Sequence, residues 1–380
     1  GRPRFASQYE TYSVSSGVIT PRTLGNAQLK PELSTEQEFG LEMVLWNKVA
    51  ATFTYVDNKV EDQLLNVPLP GYAGFQSQWQ NAGTLESNTF EASLETSIIN
   101  RPDLSWSTRI NFDRTTQEIT YLNRPAYRSG PRYIREGEAL GTYYGDRWTK
   151  DCSTMAAGTD CSQYQVNDDG YLVYVGAGNS YQDGIAKGLW GTTGPNGEKW
   201  GRPIKDRDED GNPFLFLGVG VPDYNLNWAN TFRAGNLQAT ILLDGEFGTD
   251  KYNGTRQWAL REWRGGEVDQ NGKADGLKKP VAYYSDLYNV NQDNSHYVED
   301  GTYIKIREVS LRYTLDQSML SRIGGGMGLE SAALSITGRN LLTFTDYLGY
   351  DPEVGGIVGG DDAYQYPNFR TITAVLELIF

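Results

Sequence analysis

The sequence predicts an all-β protein, namely a portion of an antiparallel transmembrane β-barrel with roughly 9–12 strands and long extracellular loops. Three observations predict this fold. Segments of about ten residues alternate apolar and polar side chains, helical periodicity is weak throughout, and short connections alternate regularly with long ones. The whole of residues 1–380 is taken as one barrel portion.

The segment Thr371–Phe380 gives the clearest strand. Its even positions, from Ile372 to Phe380, are all apolar, whereas its odd positions are mixed. Successive side chains of a strand point to opposite faces, so one face of this strand is apolar. The aromatic Phe380 at its end is typical of the closing strand of an outer-membrane barrel. Taken alone, the strand fits the last strand of a soluble sheet equally well.

Eight further segments show similar alternation, with β-branched and aromatic residues at the apolar positions. The nine predicted strands are 36–46, 48–61, 86–99, 103–120, 222–233, 236–249, 302–316, 328–343 and 367–380. The alternation slips near Arg307–Glu308, which predicts a β-bulge. Only 316–323 has the pattern of a short helix.

The connections between these strands carry the stronger signal. Four are long, at about 62–85, 121–221, 250–301 and 344–366, and they alternate with shorter ones such as Asn47 and 100–102. In an antiparallel meander, alternate connections lie at the same end, so every long loop is predicted at one end of the sheet. Short turns on one side and long loops on the other are typical of outer-membrane barrels. A soluble sheet has no reason to follow this rule.

Composition excludes several classes. The net charge of −14 argues against a nucleic-acid partner, because such a partner requires a basic surface. No stretch approaches 18 apolar residues, so no transmembrane helix is predicted. The mean hydropathy of −0.54 still allows a barrel, since half of each spanning strand faces a polar lumen.

The first residues, 1–14, lack the charged and apolar regions of a signal peptide. We therefore expect that the chain is processed or is a fragment.

Several motifs, in order, resemble the C-terminal part of the barrel of SusC/RagA-type TonB-dependent outer-membrane transporters. The motifs in the first half are Leu24-Gly25-Asn26, Leu29-Lys30-Pro31-Glu32, Glu38-Phe39-Gly40-Leu41-Glu42, Asn81-Ala82-Gly83-Thr84-Leu85 and Phe90-Glu91. Those in the second half are Val221–Tyr224, Gly248–Asn253, Asp300–Leu311, Thr337–Thr345, Tyr350-Asp351-Pro352-Glu353, Tyr366-Pro367 and Arg370-Thr371. Each motif is modest, but their joint order along the chain is specific.

The resemblance implies a barrel of 22 strands, closed by an N-terminal plug, in the outer membrane of a Gram-negative bacterium. It implies that TonB energises the import of a large nutrient, an oligosaccharide or a peptide, and that a SusD-like surface lipoprotein covers the mouth. This sequence shows no plug, no TonB box and fewer than half of those strands. Open sheet edges are not tolerated in lipid, so we expect the remaining barrel and plug on a separate polypeptide or a further segment.

Nothing in the sequence indicates an enzyme. The single histidine, His296, lies between Ser295 and Tyr297 in a predicted loop. A catalytic or metal-binding histidine needs partners that the pattern does not supply, and we interpret it as a solvated loop residue.

Cys152 and Cys161 lie nine positions apart in the longest loop. Metal binding requires closer spacing or further ligands, and an oxidising cell surface favours a disulfide. This disulfide would stabilise the loop by about 2–3 kcal/mol in the chain-entropy model. Two free thiols are the alternative.

Asp206, Asp208 and Asp210 precede Gly211 and form the opening of a calcium loop. The carboxylate expected at its twelfth position is replaced by Leu217. Calcium is therefore one interpretation, and an acidic solvated turn before the strand 214–217 is the other. No other cofactor is predicted.

Five loop aromatics, Tyr143, Tyr144, Trp148, Trp190 and Trp200, are candidates for contact with a ligand or partner. Aromatic rings beside Asp and Asn bind sugars or peptides, but they also pack loops together. We favour packing.

Two functions remain open on the sequence alone. One is nutrient transport with a plug, and the other is a structural or interaction role for the long loops in a surface assembly. The presence of a plug in the same complex distinguishes them. A soluble β-rich binding protein is disfavoured by the loop arrangement.

Overall fold

The computed structural model describes residues 9–184, 188–290, 292–324, 329–355 and 361–380. Strands dominate. They are β1 (Thr11–Ser15), β2 (Val18–Leu24), β3 (Leu33–Leu45), β4 (Val49–Pro68), β5 (Ser77–Asn100), β6 (Leu104–Leu122), β7 (Tyr127–Ser129), β8 (Arg132–Ile134), β9 (Thr142–Asp146), β10 (Tyr164–Val166), β11 (Leu172–Tyr174), β12 (Phe214–Val219), β13 (Tyr224–Ala234), β14 (Leu237–Phe247), β15 (Asp250–Asn253), β16 (Val298–Asp300), β17 (Tyr303–Thr314), β18 (Ser331–Thr345), β19 (Asp361–Asp362) and β20 (Thr371–Ile379). The helices are α1 (Gly254–Arg261), α2 (Val281–Leu287) and α3 (Gln317–Gly324).

Nine long strands form one antiparallel meander in the order β3-β4-β5-β6-β13-β14-β17-β18-β20. The β1–β2 hairpin joins this sheet through a short parallel pairing of Thr23 and Leu24 with the start of β5. All nine predicted strands are present, with ends that differ by several residues. No helix in the described segments is long and apolar enough to cross a membrane.

The predicted loop at 62–85 is wrong in extent. β4 continues to Pro68 and β5 begins at Ser77, so only residues 69–76 connect them. Charged residues around Asp62 interrupt the apolar alternation, but backbone pairing resumes beyond a register shift at Gln63. Asp62 absorbs this shift with a left-handed φ of 55°. The outer parts of β4 and β5 are therefore held by backbone hydrogen bonds, which the pattern of side chains does not predict.

The predicted bulge at Arg307 is confirmed. Ile306 pairs with Leu342, and the next pairing is that of Glu308 with Arg339, so Arg307 is skipped in the register. The same skip occurs on the other side, against β14. A bulge re-aims side chains, and this one lets the Arg307 guanidinium reach Asp244 on the neighbouring strand.

One face of the sheet is apolar and open to its surroundings. A row of rings crosses β4, β5, β6, β13 and β14, with neighbouring centroids 4.8–6.4 Å apart. It consists of Phe53, Phe90, Phe112, Tyr224 and Phe247.

A second aromatic pair on the same face, Trp106 and Phe232, lies toward the short turns with centroids 5.3 Å apart. Trp106 and Phe112 are six positions apart on β6, a separation of about 20 Å along the strand. The spacing is comparable with the apolar band of about 25 Å, flanked by aromatic girdles, of outer-membrane barrels.

The opposite face is polar and carries ion pairs between adjacent strands. Arg109 pairs with Glu95, Arg339 donates to Glu308 at 2.7 Å, and Arg312 donates to Glu377 at 2.8 Å. These pairs are substantially exposed, so each contributes little stability. These ion pairs make this face polar, in contrast to the apolar face with its aromatic rings.

The meander places the short turns at one end, including 46–48, 101–103 and 235–236. The long connections 123–223, 248–302 and 346–370 lie at the other end. The prediction that the long loops lie at one end of the sheet therefore agrees with the order of the strands.

The two faces predict opposite responses to the same substitution at adjacent positions of β6. Ile110 lies on the apolar face and is 38% exposed, whereas Asn111 lies on the polar face. We expect Ile110→Lys to destabilise the full-length protein in lipid vesicles by about 2–4 kcal/mol, and Asn111→Lys to change stability by under about 1 kcal/mol. Urea unfolding in vesicles measures both, and equal effects would contradict a lipid-facing apolar surface.

A loop domain as candidate binding site

Among the described residues, the largest buried hydrophobic cluster lies in the long connections rather than in the sheet. We call the described residues of 123–223, 248–302 and 346–370 the loop domain. Its core consists of Tyr143, Trp148, Tyr171, Tyr252, Leu260, Tyr283, Tyr284, Leu287 and Tyr297. The strands β9 and β12 pair with each other, as do β15 and β16, so the connections have secondary structure of their own.

The first two connections join at the end of β9. The backbone N–H of Asp146 donates to the carbonyl of Asp293, and Ser295 donates back to the carbonyl of Asp146. The indole N–H of Trp148 donates to Asn294 Oδ1 at 3.1 Å, and Asn294 Nδ2 donates to the carbonyl of Leu287 at 2.9 Å. Asn294 is 1% exposed, so its amide satisfies polar groups that would be costly to leave buried and unpaired.

Gly145 is required for this close approach. A Cβ at position 145 would lie 2.1 Å from the carbonyl oxygen of Asp293, well inside van der Waals contact. Because glycine has no side chain, Gly145 allows the two connections to lie this close together.

A second junction involves tyrosine hydroxyls. Tyr283, on α2, donates to Asp169 Oδ2 at 2.6 Å, and Asn167 Nδ2 donates to the same hydroxyl at 3.0 Å. Lys279 pairs with Asp168 at 2.7 Å beside them. Burial raises the pKa of Tyr283 well above its ordinary value, so the hydroxyl stays a donor.

His296 lies in a polar network, so its interpretation as a solvated loop residue is wrong. Its side chain is only 9% exposed, with Nδ1 2.6 Å from the hydroxyl of Tyr171 and Nε2 3.1 Å from Glu267. Arg256 donates to both oxygens of Glu267 at 2.6 and 2.8 Å and to Glu299 at 2.8 Å. The ring's polar partners are Tyr171 in the first connection, Arg256 on α1 and Glu267, and sequence spacing does not reveal them.

The third connection is tied to the other two. β19 pairs in parallel with β15, and the hydroxyl of Thr255, in the second connection, donates to Asp362 Oδ1 at 2.5 Å. Arg132, from the first connection, lies 3.4 Å from Asp361. Thus all three long connections form one packed body.

The third connection is also fixed to the polar face of the sheet. Lys305 on β17 has a 2% exposed side chain, and it donates to Asp351 at 2.6 Å and to Glu353 at 2.7 Å. Arg307 donates to Glu353 at 2.9 Å, and Asn368 donates to the same carboxylate at 2.6 Å. Burial opposes ionisation of Asp351, but the Lys305 ammonium and two backbone N–H donors hold the pKa of Asp351 below its usual value.

The predicted disulfide is confirmed. Cys152 and Cys161 are joined, with their Cα atoms 5.8 Å apart. The bridge closes residues 153–160 into a small loop that forms one wall of an open cleft of about 1270 Å³. Pro195–Lys199 and Arg202–Glu209 also line this cleft.

Two of the three aspartates proposed for calcium have other partners. Asp206 accepts from Arg147 at 2.9 Å, and Asp208 Oδ1 accepts from the backbone of Asp210 and Asn212. Within the described residues, no group of three or more His, Cys, Asp or Glu side chains is arranged to hold a metal ion. Calcium binding at Asp206, Asp208 and Asp210 stays a prediction.

The five loop aromatics separate into two groups. Tyr143, Trp148 and Trp200 are at most 3% exposed, so these three have the packing role favoured above and are not available to a ligand. They fill the interior of a loop domain that the sequence shows only as a long irregular stretch. Tyr144 is half-buried and Trp190 is 37% exposed, so these two keep accessible rings.

The sheet and the loop domain define a class of protein: long antiparallel strands with one apolar and one polar face, and packed loops at one end. The likeness to SusC/RagA-type TonB-dependent receptors, inferred from the motifs, is confirmed. The chain is 29% identical over 411 residues to TonB-dependent receptor P3 of Formosa agariphila, which covers 99% of this chain. It is 22% identical over 367 residues to TonB-dependent receptor SusC of Bacteroides thetaiotaomicron. No family model matches the chain.

Solved structures show the same fold. The RagAB peptide importer in its closed-closed state matches 97% of this chain with a TM-score of 0.66 at 20% identity. The structure of the RagAB peptide transporter gives a TM-score of 0.65 over the same share. The chain spans 37% of the length of receptor P3 and 38% of the matched RagAB chain.

Gly145 provides a test of the junction between the first two connections. We expect Gly145→Ala to separate β9 from Asp293 and to raise amide hydrogen exchange at residues 292–297. The matched control is Gly266→Ala, where a new Cβ meets nothing within 4 Å. Similar exchange in both variants would show that the close approach is dispensable.

Glu267 predicts how the loop domain responds to acid. Burial favours its neutral form, but hydrogen bonds from His296 and Arg256 prevail and lower the pKa of Glu267 to about 2, from an ordinary 4.5. Ionised Glu267 therefore stabilises the fold above pH 4.5, and this contribution is lost as the pH falls from 4.5 to 2. We expect exchange protection at residues 254–268 to fall in this window and to be low already at pH 7 in Glu267→Gln. Exposed Glu209→Gln is the control, and its behaviour should match the unaltered protein.

Proposed function

We propose that this chain forms the C-terminal part of the barrel of an outer-membrane, TonB-dependent active transporter that imports a large nutrient, an oligosaccharide or a peptide. The observation that supports this proposal is the division of the molecule into a two-faced sheet and a loop domain. One sheet has an open apolar face and a polar inner face, and the three longest connections fold into a single body at one end. Motion of a plug, with no covalent chemistry, is the proposed mechanism of import.

The edges of the sheet support a larger barrel. β3 and β20 are the outermost strands of the meander, and β20 is exposed along its whole length. Unpaired edges are unstable in a bilayer, because their N–H and C=O groups find no partner there. We propose that further strands pair with both edges and close a barrel of 22 strands. We propose that the plug accompanies these further strands, outside the sequence described here.

The position of the loop domain and the names of the relatives indicate the proposed partners. The relatives named SusC and RagAB support a SusD-like surface lipoprotein over the loop domain, and the receptor names support TonB as the energy source. Membrane lipid would cover the apolar face. Gram-negative outer-membrane localisation is part of the same proposal.

The test is the intact mass of the detergent-extracted protein, measured under native and denaturing conditions. We expect this chain within a larger polypeptide, or bound to a second one, that carries a plug and about twelve further strands, together with a lipoprotein. Deleting the host tonB gene should then abolish uptake of the nutrient while leaving surface binding intact. A stable particle of the 42.4 kDa chain alone would contradict the transporter and favour a surface assembly.

A further inference from the structure

Three Asn-Gly pairs lie in the long connections, in three different environments. They are Asn196-Gly197, Asn253-Gly254 and Asn271-Gly272. Asparagine is a thermolabile residue. When glycine follows it, the glycine nitrogen can attack the side-chain carbonyl carbon, because glycine has no side chain to block the approach. The fold decides whether the two reacting groups are free to meet.

The pair Asn253-Gly254 is held firmly at the start of α1. Asn253 is 0% exposed, and its Oδ1 accepts from the backbone N–H of Arg256 at 2.9 Å. Its Nδ2 donates to Glu299 at 3.2 Å. A Cβ on Gly254 would lie 2.9 Å from the carbonyl oxygen of Asp362, so this backbone has no room to rearrange.

The pair Asn196-Gly197 is exposed, but both of its reacting groups are hydrogen-bonded. Asn196 Nδ2 donates to the hydroxyl of Tyr164 at 3.2 Å. The N–H of Gly197 donates to the carbonyl of Gly194 at 3.1 Å. Both bonds must break before the side chain and the backbone can react.

The pair Asn271-Gly272 is exposed and unrestrained. The backbone N–H of Asn271 donates to Asp269 Oδ1 at 2.8 Å. Among the described residues, however, neither the carboxamide of Asn271 nor the N–H of Gly272 has a hydrogen-bond partner. A Cβ built on Gly272 would meet nothing within 4 Å, so the space for ring closure is open.

We propose that Asn271 is a site of spontaneous deamidation on the loop domain. The nitrogen of Gly272 forms a bond to Asn271 Cγ and loses its proton to solvent, while the side-chain nitrogen leaves as ammonia. Water then opens the succinimide ring at either of its carbonyl carbons, which gives aspartate or isoaspartate. Water is the only co-reactant, and the site does not depend on the proposed transport function.

The neighbours of Asn271 are anchored, so the two products have different consequences. Gln270 Nε2 donates to the hydroxyl of Tyr284, a residue of the loop core, at 2.9 Å. Lys273 Nζ donates to the backbone carbonyl of Glu267 at 3.1 Å. Isoaspartate adds one methylene group to the backbone between these two anchors, whereas aspartate adds only a charge. Isoaspartate therefore loosens the turn, and aspartate leaves it in place.

The experiment follows the three pairs in the full-length protein, purified in detergent and incubated at mildly alkaline pH. Peptide mapping by mass spectrometry measures the converted fraction at each pair, and labelling with an isoaspartyl methyltransferase identifies isoaspartate. We expect Asn271 to convert roughly tenfold faster than Asn196, because two hydrogen bonds must first break at Asn196. Asn253 should stay unconverted.

The same incubation in denaturant is the control for local sequence. All three pairs are then unrestrained, so the difference between them should largely disappear. Equal conversion of Asn271 and Asn196 in the folded protein would overturn the proposal. The same order of rates in denaturant would also overturn it, since the fold would then not be the cause.

Variants test the effect on the turn. Asn271→Gln should block conversion, because its longer side chain requires a larger ring, whereas Asn196→Gln should leave conversion of Asn271 unchanged. Asn271→Asp supplies the charge alone. We expect amide hydrogen exchange at residues 266–273 to rise in the aged unaltered protein, but not in Asn271→Asp or in aged Asn271→Gln. Equal exchange in fresh and aged unaltered protein would refute the loosening of the turn.

Discussion

The constraint on which this structure depends is that its main sheet is a single layer. A sheet in a soluble domain buries its apolar face against a second layer, but here the row of rings from Phe53 to Phe247 has no covering element within the described chain. The strands are instead held by their backbone ladders and by cross-strand pairs. The buried packing that usually stabilises a domain is found in the connections instead.

The loop domain supplies the interior that the sheet lacks. Its core is unusual in being built mainly from tyrosine and tryptophan rather than from aliphatic residues. Rings with a polar tip can fill space and still hydrogen-bond, as Trp148 does to Asn294 and Tyr283 does to Asp169. These bonds, together with the ion pairs of Arg256 and Lys305, fix the relative positions of segments more than a hundred residues apart in sequence.

The sequence predicts the sheet well because its signal is local. The nine long strands, the bulge at Arg307 and the side on which the connections lie all follow from period-two alternation and from connection length. The prediction of 62–85 as a loop fails because pairing there is maintained by the backbone across Asp62. The environments of His296, Trp148 and Tyr143 are set by contacts with distant connections, so their burial has no local pattern. The contact of Tyr133 with Phe214, whose ring centroids are 5.0 Å apart, has no local signal for the same reason, since the two residues are 81 positions apart.

The fixed loop core has a consequence for which positions of the loop domain tolerate substitution. Since Trp148, Asn294 and Gly145 each join the first connection to the second, most changes at these positions would disturb both connections. Substitutions are better tolerated in segments that contribute no side chain to this core, such as the disulfide-closed segment 153–160. The bridge between Cys152 and Cys161 fixes both ends of this segment, so the chain on either side keeps its place when residues 153–160 are changed.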